Sequence, residues 1–209
     1  MKRILPILAD IANGIFATFL ASWITGINPT WHFIVGIVFA TLPDLDAIPE
    51  LLKRGMVAGS SKYPHDHRVG LHYPIVFVII GVVLIYLFPF FGWLFLVATM
   101  LHFVNDLYGT GWGVPILWPF KSCRYKFFGR RAALSKKLLI EKGYWNDLSD
   151  EERKLRFVVS WNIDELPEFI RRYRIENWID IFYLHFSRVS LIEYLIFITA
   201  IILLLIHFF

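Results

Sequence analysis

Apolar residues run in long stretches along this chain, and the polar breaks between them mark out five candidate membrane segments. The first runs from about Ile4 to Ile27 and stops at the turn Asn28-Pro29-Thr30. The second runs from about Trp31 to Leu42 and continues amphipathically to Leu52, which is short beside the ~20 residues a full crossing takes. A polar loop from Lys53 to Arg68 precedes the third, Tyr73 to Phe88. Pro89 to Gly92 reads as a hairpin turn before the fourth, Trp93 to Tyr108. A loop with Gly109, Gly111 and Gly113 then ends in Trp118-Pro119. Residues 121–188 differ in kind, mixing both charge signs with aromatics and lacking a long apolar run. Ser149 followed by Glu152, and Asn162 before Asp164-Glu165, are helix-start signals. The insert is therefore predicted as amphipathic helices lying on the membrane surface. Val189 to Phe209 is the fifth segment, with Glu193 its one charged residue.

This pattern predicts an all-α integral membrane protein with about five transmembrane helices and a cytoplasmic amphipathic helical insert. Its expected divisions are a four-helix membrane core over 1–120, the insert over 121–188 and a C-terminal transmembrane helix over 189–209. Composition agrees: 57% of residues are hydrophobic, 18% are charged, and the mean hydropathy is +0.57. Soluble domains carry about 25% charged residues. Asp10 and Asn13 interrupt the first apolar run, which then continues to Trp23, so that run is expected to be a retained helix and not a cleaved signal.

Charge adds orientation. The net charge is +4, and all 21 Lys and Arg fall in the stretches 2–3, 53–68 and 121–188. If Lys2 and Arg3 are cytoplasmic, alternation places every one of them on that side, as the positive-inside rule requires. The expected location is the inner membrane, multi-pass, with a cytoplasmic N-terminus. The expected partner of the basic insert is the lipid bilayer, and no nucleic acid. Cys123 is the single cysteine, which excludes an internal disulfide and a thiolate metal site.

The candidate chemistry begins at Pro43-Asp44-Leu45-Asp46, where two carboxylates sit at the end of an apolar run. Such a pair is costly there unless something positive neutralises it. In the predicted topology His67 and His72 precede the third segment on the same side, and Asp106 closes the fourth with His102 one turn deeper. Asp10 and Asn13 lie in the inner half of the first helix. Imidazoles and carboxylates are ligands for zinc, manganese or iron. Asp44, Asp46, His67, His72, His102 and Asp106 are six donors, more than one tetrahedral zinc uses, and Asp10 is a candidate seventh. Two divalent ions are expected, ~3.5–4 Å apart, to activate water and clamp a phosphoryl oxygen. Arg68 is placed to take phosphate as a bidentate fork. Glu193 is a weaker candidate to approach the site, and His32 is too far along its helix from Asp44 to share it. His185 and His207 are expected to be structural, and Asn13 and Asn105 to be either hydrogen-bond partners of the ligands or plain contacts between helices.

Four stretches carry a resemblance: Leu42-Pro43-Asp44-Leu45-Asp46, His67-Arg68-Val69-Gly70-Leu71-His72, His102-Phe103-Val104-Asn105-Asp106, and Gly113 through Trp118-Pro119. In order and spacing they resemble the YdjM-like group of inner-membrane-associated, metal-dependent hydrolases, over roughly residues 1–120. The chain departs from that group at Ala47, where a His is usual, at Val69, where a Gly is usual, and at Asp10 and Asn13, near which the group carries a His. The group is distantly similar to zinc-dependent phospholipase C and nuclease folds. The resemblance implies a hydrolase acting on a phosphoester, with zinc the favoured metal. A membrane-embedded mouth points to a lipid or lipid-linked substrate. Asp46 and Arg68 are then the candidate catalytic residues. The alternative is a metal-binding membrane protein without enzymatic activity, a scaffold or transporter. The sequence shows no internal repeat, which disfavours the transporter.

Overall fold

The elements of this chain start and stop where proline, glycine and the apolar runs dictate. The computed structural model describes residues 2–54, 68, 70–173, 175, 177–185 and 187–209. Helix α1 (Leu8–Thr25) follows a 3-10 stretch over Lys2–Ile7. It ends at Gly26, whose φ of 72° lets its N–H cap the carbonyl of Ser22 at 2.8 Å. Helix α2 (His32–Thr41) stops before Pro43 and tightens into a 3-10 turn, Leu42–Asp46, which leads to α3 (Ala47–Arg54). Helix α4 (Pro74–Leu87) and helix α5 (Pro89–Tyr108) each begin on a proline, a residue suited to the first helical position. Pro89 to Gly92 is thus the first turn of α5, and the chain reverses at Phe88 instead.

Among the described residues three helices are long and apolar enough to cross a bilayer: Leu5–Thr25, Pro89–Tyr108 and Arg188–Phe208. Five spans were expected. The third expected span, α4, has 14 residues and the second, α2, has 10. At 1.5 Å per residue they reach about 21 and 15 Å, against roughly 30 Å of hydrocarbon.

The insert is where the structure corrects the expectation of helices alone. Strand β1 (Cys123–Gly129) pairs antiparallel with β2 (Arg156–Asn162), with Tyr125 opposite Ser160 and Lys126 opposite Val159. Both stretches alternate in period two and are rich in aromatic or β-branched residues, which favours strand over helix. Short helices α6 (Lys136–Glu141) and α7 (Asp150–Arg153) lie in the connection, and α8 (Leu166–Tyr173) follows. The expected capping box is present at α7, Ser149 Oγ accepting from the Glu152 N–H while Glu152 accepts from the Ser149 N–H. Asn162 instead ends β2. Its N–H donates to Glu165 at 2.8 Å, and the helix begins four residues later at Leu166. Helix α9 (Arg188–Phe208) is the fifth expected segment.

The chain forms two compact units, one of residues 1–45, 74–105 and 177–209, the other of 46–73 and 106–176. In the first, α1 is packed on two sides. Ala12 and Ile15 meet Ala200, Ile196 and Phe197 of α9, while Ala17 and Ala21 meet Ala40 of α2 and Leu94 and Ala98 of α5. The approach to α2 is backbone on backbone. A Cβ on Gly36 would lie 2.4 Å from Gly14 O and 2.3 Å from Thr18 Oγ1. Small residues permit this contact, and close packing of this kind is what holds helices together in lipid. The outer face of α9 exposes Leu195, Ile198, Ile202 and Ile206, as a lipid-facing helix does. The second unit has its own core of Trp161, Val159, Leu139, Ile170 and Tyr173, with Trp161 Nε1 donating to Arg131 O at 2.9 Å.

Gly36→Val should force α1 and α2 apart and lower stability in detergent by ~2 kcal/mol or more, as overpacking does. Gly129→Ala, where a Cβ meets Val159 Cγ2 at an ordinary 3.6 Å, should leave the thermal midpoint nearly unchanged.

Candidate metal centre

Within the first unit the site is built on α1, α5 and the turn after α2. Asp10 sits in the first turn of α1, and His102 lies on the part of α5 belonging to this unit. Both are buried among the helices. His102 Nδ1 is 2.8 Å from Asp10 Oδ1, and its Nε2 faces Asp44 Oδ1 at 3.7 Å. Asp44 keeps 39% of its side chain exposed. Asn13 is buried one turn along α1 from Asp10, and Glu193 is buried on α9.

Within the second unit the same arrangement recurs. His72, with no exposed side-chain surface, has Nδ1 3.0 Å from Asp46 Oδ2 and Nε2 3.3 Å from Asp106 Oδ2. The Asp46 oxygen also accepts from the N–H groups of Gly70 and Leu71, at 3.3 and 3.0 Å, so it shapes the approach to His72. Asp46 Oδ1 makes no hydrogen bond among the described residues. The other oxygen of Asp106 takes Arg68 Nη2 at 2.5 Å, and the same nitrogen donates to Thr110 O at 3.2 Å.

Local geometry explains why adjacent acids serve different imidazoles. The Leu42–Asp46 turn is 3-10, with about three residues per turn, so residues two apart point in different directions. On α5, by contrast, His102 and Asp106 are four apart and share one face.

Two observations bear on a metal. Asp44, His72 and His102 are donors of the kind that could hold a metal ion. The Nε2-to-carboxylate separations of 3.7 and 3.3 Å exceed ordinary N–H···O lengths. A cation bonded to both atoms at ~2.1 Å in tetrahedral geometry would set them ~3.4 Å apart. The carboxylate on each Nδ1 is the usual outer partner of a metal-ligating histidine.

Of the candidate ligands and catalytic residues that the structure describes, Asp10, Asp44 and His102 meet in the first unit and Asp46, Arg68, His72 and Asp106 in the second. His67 lies outside the described residues. His207 Nε2 donates to Pro29 O (2.9 Å) within an aromatic cluster, and His32 stacks on Trp31. Sequence reasoning missed Arg124 and Lys126, which project from β1 into the second unit and are buried. The signal was there, as two cations at period two in a run with Tyr125, Phe127 and Phe128. Burial, together with the Arg68 guanidinium, pulls the Lys126 ammonium down to about 7, with Asp106 acting the other way.

The model of a family described as YdjM inner membrane protein matches residues 7–164. No curated protein and no solved structure matches the chain.

Lys126 sets a pH dependence. Its folded pKa of about 7 lies below its ordinary 10.5, so between those values the unfolded chain binds the extra proton and stability rises with pH. Thermal midpoints from pH 7 to 10 should therefore climb more steeply in the wild type than in Lys126→Met. Equal slopes would show that the ammonium is not held in this way.

Proposed function

Because the chain belongs to the YdjM inner membrane protein family, we propose that it is a membrane-bound, metal-dependent hydrolase. Its substrate would be a phosphoester of a lipid or lipid-linked compound, met at the cytoplasmic face, with the N-terminus on that side. The observation that carries this reading is the repeated arrangement of an imidazole held at Nδ1 by one carboxylate and facing a second at Nε2.

The proposed ligands are Asp44 with His102 for one divalent ion and His72 with Asp106 for another, His67 being a further donor. Zinc suits these nitrogen and oxygen donors, and manganese or iron are the alternatives. Bound there, the ions supply Lewis acidity toward a phosphoryl oxygen and lower the pKa of a water. The two ligand sets are joined covalently, through the turn that carries both Asp44 and Asp46 and through α5, which carries both His102 and Asp106.

The chain's own groups have separate tasks. Asp10 and Asp46 hold the Nδ1 protons and so fix the tautomer that presents Nε2. Arg68, anchored by Asp106 and Thr110 O, meets the charge that grows on the phosphoryl oxygens. Asp46 Oδ1 accepts the proton of the water that attacks phosphorus. As the new P–O bond forms, the ester P–O bond breaks and the leaving oxygen takes the proton that Asp46 Oδ1 removed from the water, departing as the alcohol. The apolar, lipid-facing helices would let such a substrate enter from the membrane.

Elemental analysis of purified protein should find divalent metal, and His72→Ala and His102→Ala should lose it together with hydrolysis of phospholipid or polyprenyl phosphates. Asp10→Asn should weaken metal affinity ~10–100-fold. Metal retained by a correctly inserted protein that hydrolyses none of these substrates would favour the non-enzymatic metal-binding alternative.

A further inference from the structure

Helix α3 (Ala47–Arg54) carries its apolar side chains on the outside. Ile48, Leu51 and Leu52 stand at the i, i+3 and i+4 spacing of one helix face. All three are exposed, Leu52 at 81%. At about 100° per residue, Glu50 and Lys53 fall on the other side. Glu50 is half-buried and Lys53 is exposed. A surface helix in water shows the reverse, burying its apolar stripe and leaving its acids out. In the residues that lead into α3, Ile34 and Val38 of α2 and Leu45 of the turn are exposed as well. Helix α2 has already stopped before Pro43, and the 8 residues of α3 reach about 12 Å, too short to carry on a crossing.

Size and charge decide what covers such a face. A second copy of the chain needs ~800 Å² per partner for stable association, far more than three side chains supply. Lipid is at hand, because the chain belongs to an inner membrane protein family and three of its helices are long and apolar enough to cross a bilayer. Lys53 follows Leu52 directly, and an ammonium beside an apolar stripe suits the phosphates of a membrane surface. A short helix with one apolar face lies in that interface and does not span. We propose that α3 is an interfacial anchor, with Ile48, Leu51 and Leu52 among the acyl chains and Lys53 among the lipid headgroups. Ala47 follows Asp46 directly, so the anchor also holds Asp46 at the depth where lipid phosphates lie. The anchor stands without the hydrolase reading. It deepens that reading in one respect, by naming the headgroup phosphoester of a bilayer lipid as substrate, and in that respect it rests on it.

The test uses the full chain with Cys123→Ser, reconstituted in vesicles of phosphatidylethanolamine and phosphatidylglycerol. Ile48→Cys, Leu51→Cys, Leu52→Cys and Lys53→Cys each carry a nitroxide, relaxed by oxygen, which enters lipid, or by a nickel chelate, which stays in water. Positions 48, 51 and 52 should favour oxygen and report a depth of ~5–10 Å below the headgroup boundary, while position 53 should favour the chelate. The wild-type chain, irradiated beside a phospholipid with a diazirine on its acyl chain, should carry adducts within residues 48–52, a readout that needs no variant. Preference for the chelate at all four positions means that water covers the face and overturns the anchor. Shielding from both reagents, with no lipid adduct, means that protein covers it and overturns the anchor equally. Leu52→Glu, which puts a charge into the stripe, should raise KM for a phospholipid several-fold and leave turnover of a water-soluble phosphoester unchanged. An unchanged KM for the phospholipid overturns the link to substrate. Lipid depth at the labels without hydrolysis of any phosphoester sinks the hydrolase reading and leaves the anchor. Hydrolysis with water-exposed labels does the opposite.

Discussion

An imidazole buried among apolar helices needs a partner for each nitrogen, and in this chain a carboxylate meets the need twice. Asp10 sits on Nδ1 of His102 and Asp46 on Nδ1 of His72. Each contact settles which nitrogen holds the proton and aims the other at a second carboxylate. The acids benefit as well, because a buried carboxylate without a donor or a cation nearby is costly. One oxygen of Asp46 receives three nitrogen donors.

Helix α1 can bring Asp10 to His102 because it is made of small residues on its packed faces. Ala9, Ala12, Gly14, Ala17 and Ala21 are all at or near zero exposure or in backbone contact. Hydrophobic burial gives helices little reason to associate inside lipid, so van der Waals contact between close backbones has to hold them. The same helix also buries three polar side chains, Asp10, Asn13 and Thr18. The first helix therefore combines a packing role with a chemical one.

The insert follows a different logic. Its two strands pair edge to edge and bury Trp161 and Val159 on the side that also carries Arg124 and Lys126. The aromatic residues near the strand ends, Phe128 and Phe157, stay exposed and contact each other edge to face. A sheet of this kind holds long cationic side chains by their stems and presents their heads to backbone carbonyls, which a surface helix would have left in water. Proline and glycine around residues 109–119 leave the Gly111 carbonyl outside any helix and thus open to Lys126.

The apolar runs by themselves determined that this is a membrane protein and where most of its long helices lie, because period and length follow directly from the solvent a helix faces. They also determined which residue types would gather, since His and Asp at the ends of apolar runs have few inexpensive fates. The sequence did not reveal how many helices are long enough to cross, because α2 and α4 end early at Pro43 and ahead of Pro89, and apolarity alone does not report length in ångströms. It did not reveal that Asp44 and Asp46 serve different histidines, which depends on the backbone being helical there and not extended. Nor did it reveal the β pair or the inward face of Arg124 and Lys126. Strand pairing joins residues far apart in the chain, from Gly129 with Arg156 (27 positions) to Cys123 with Asn162 (39 positions), and no local pattern carries that information. Only the tertiary structure decides which side of such a sheet is buried, and with it which charges lie against the site.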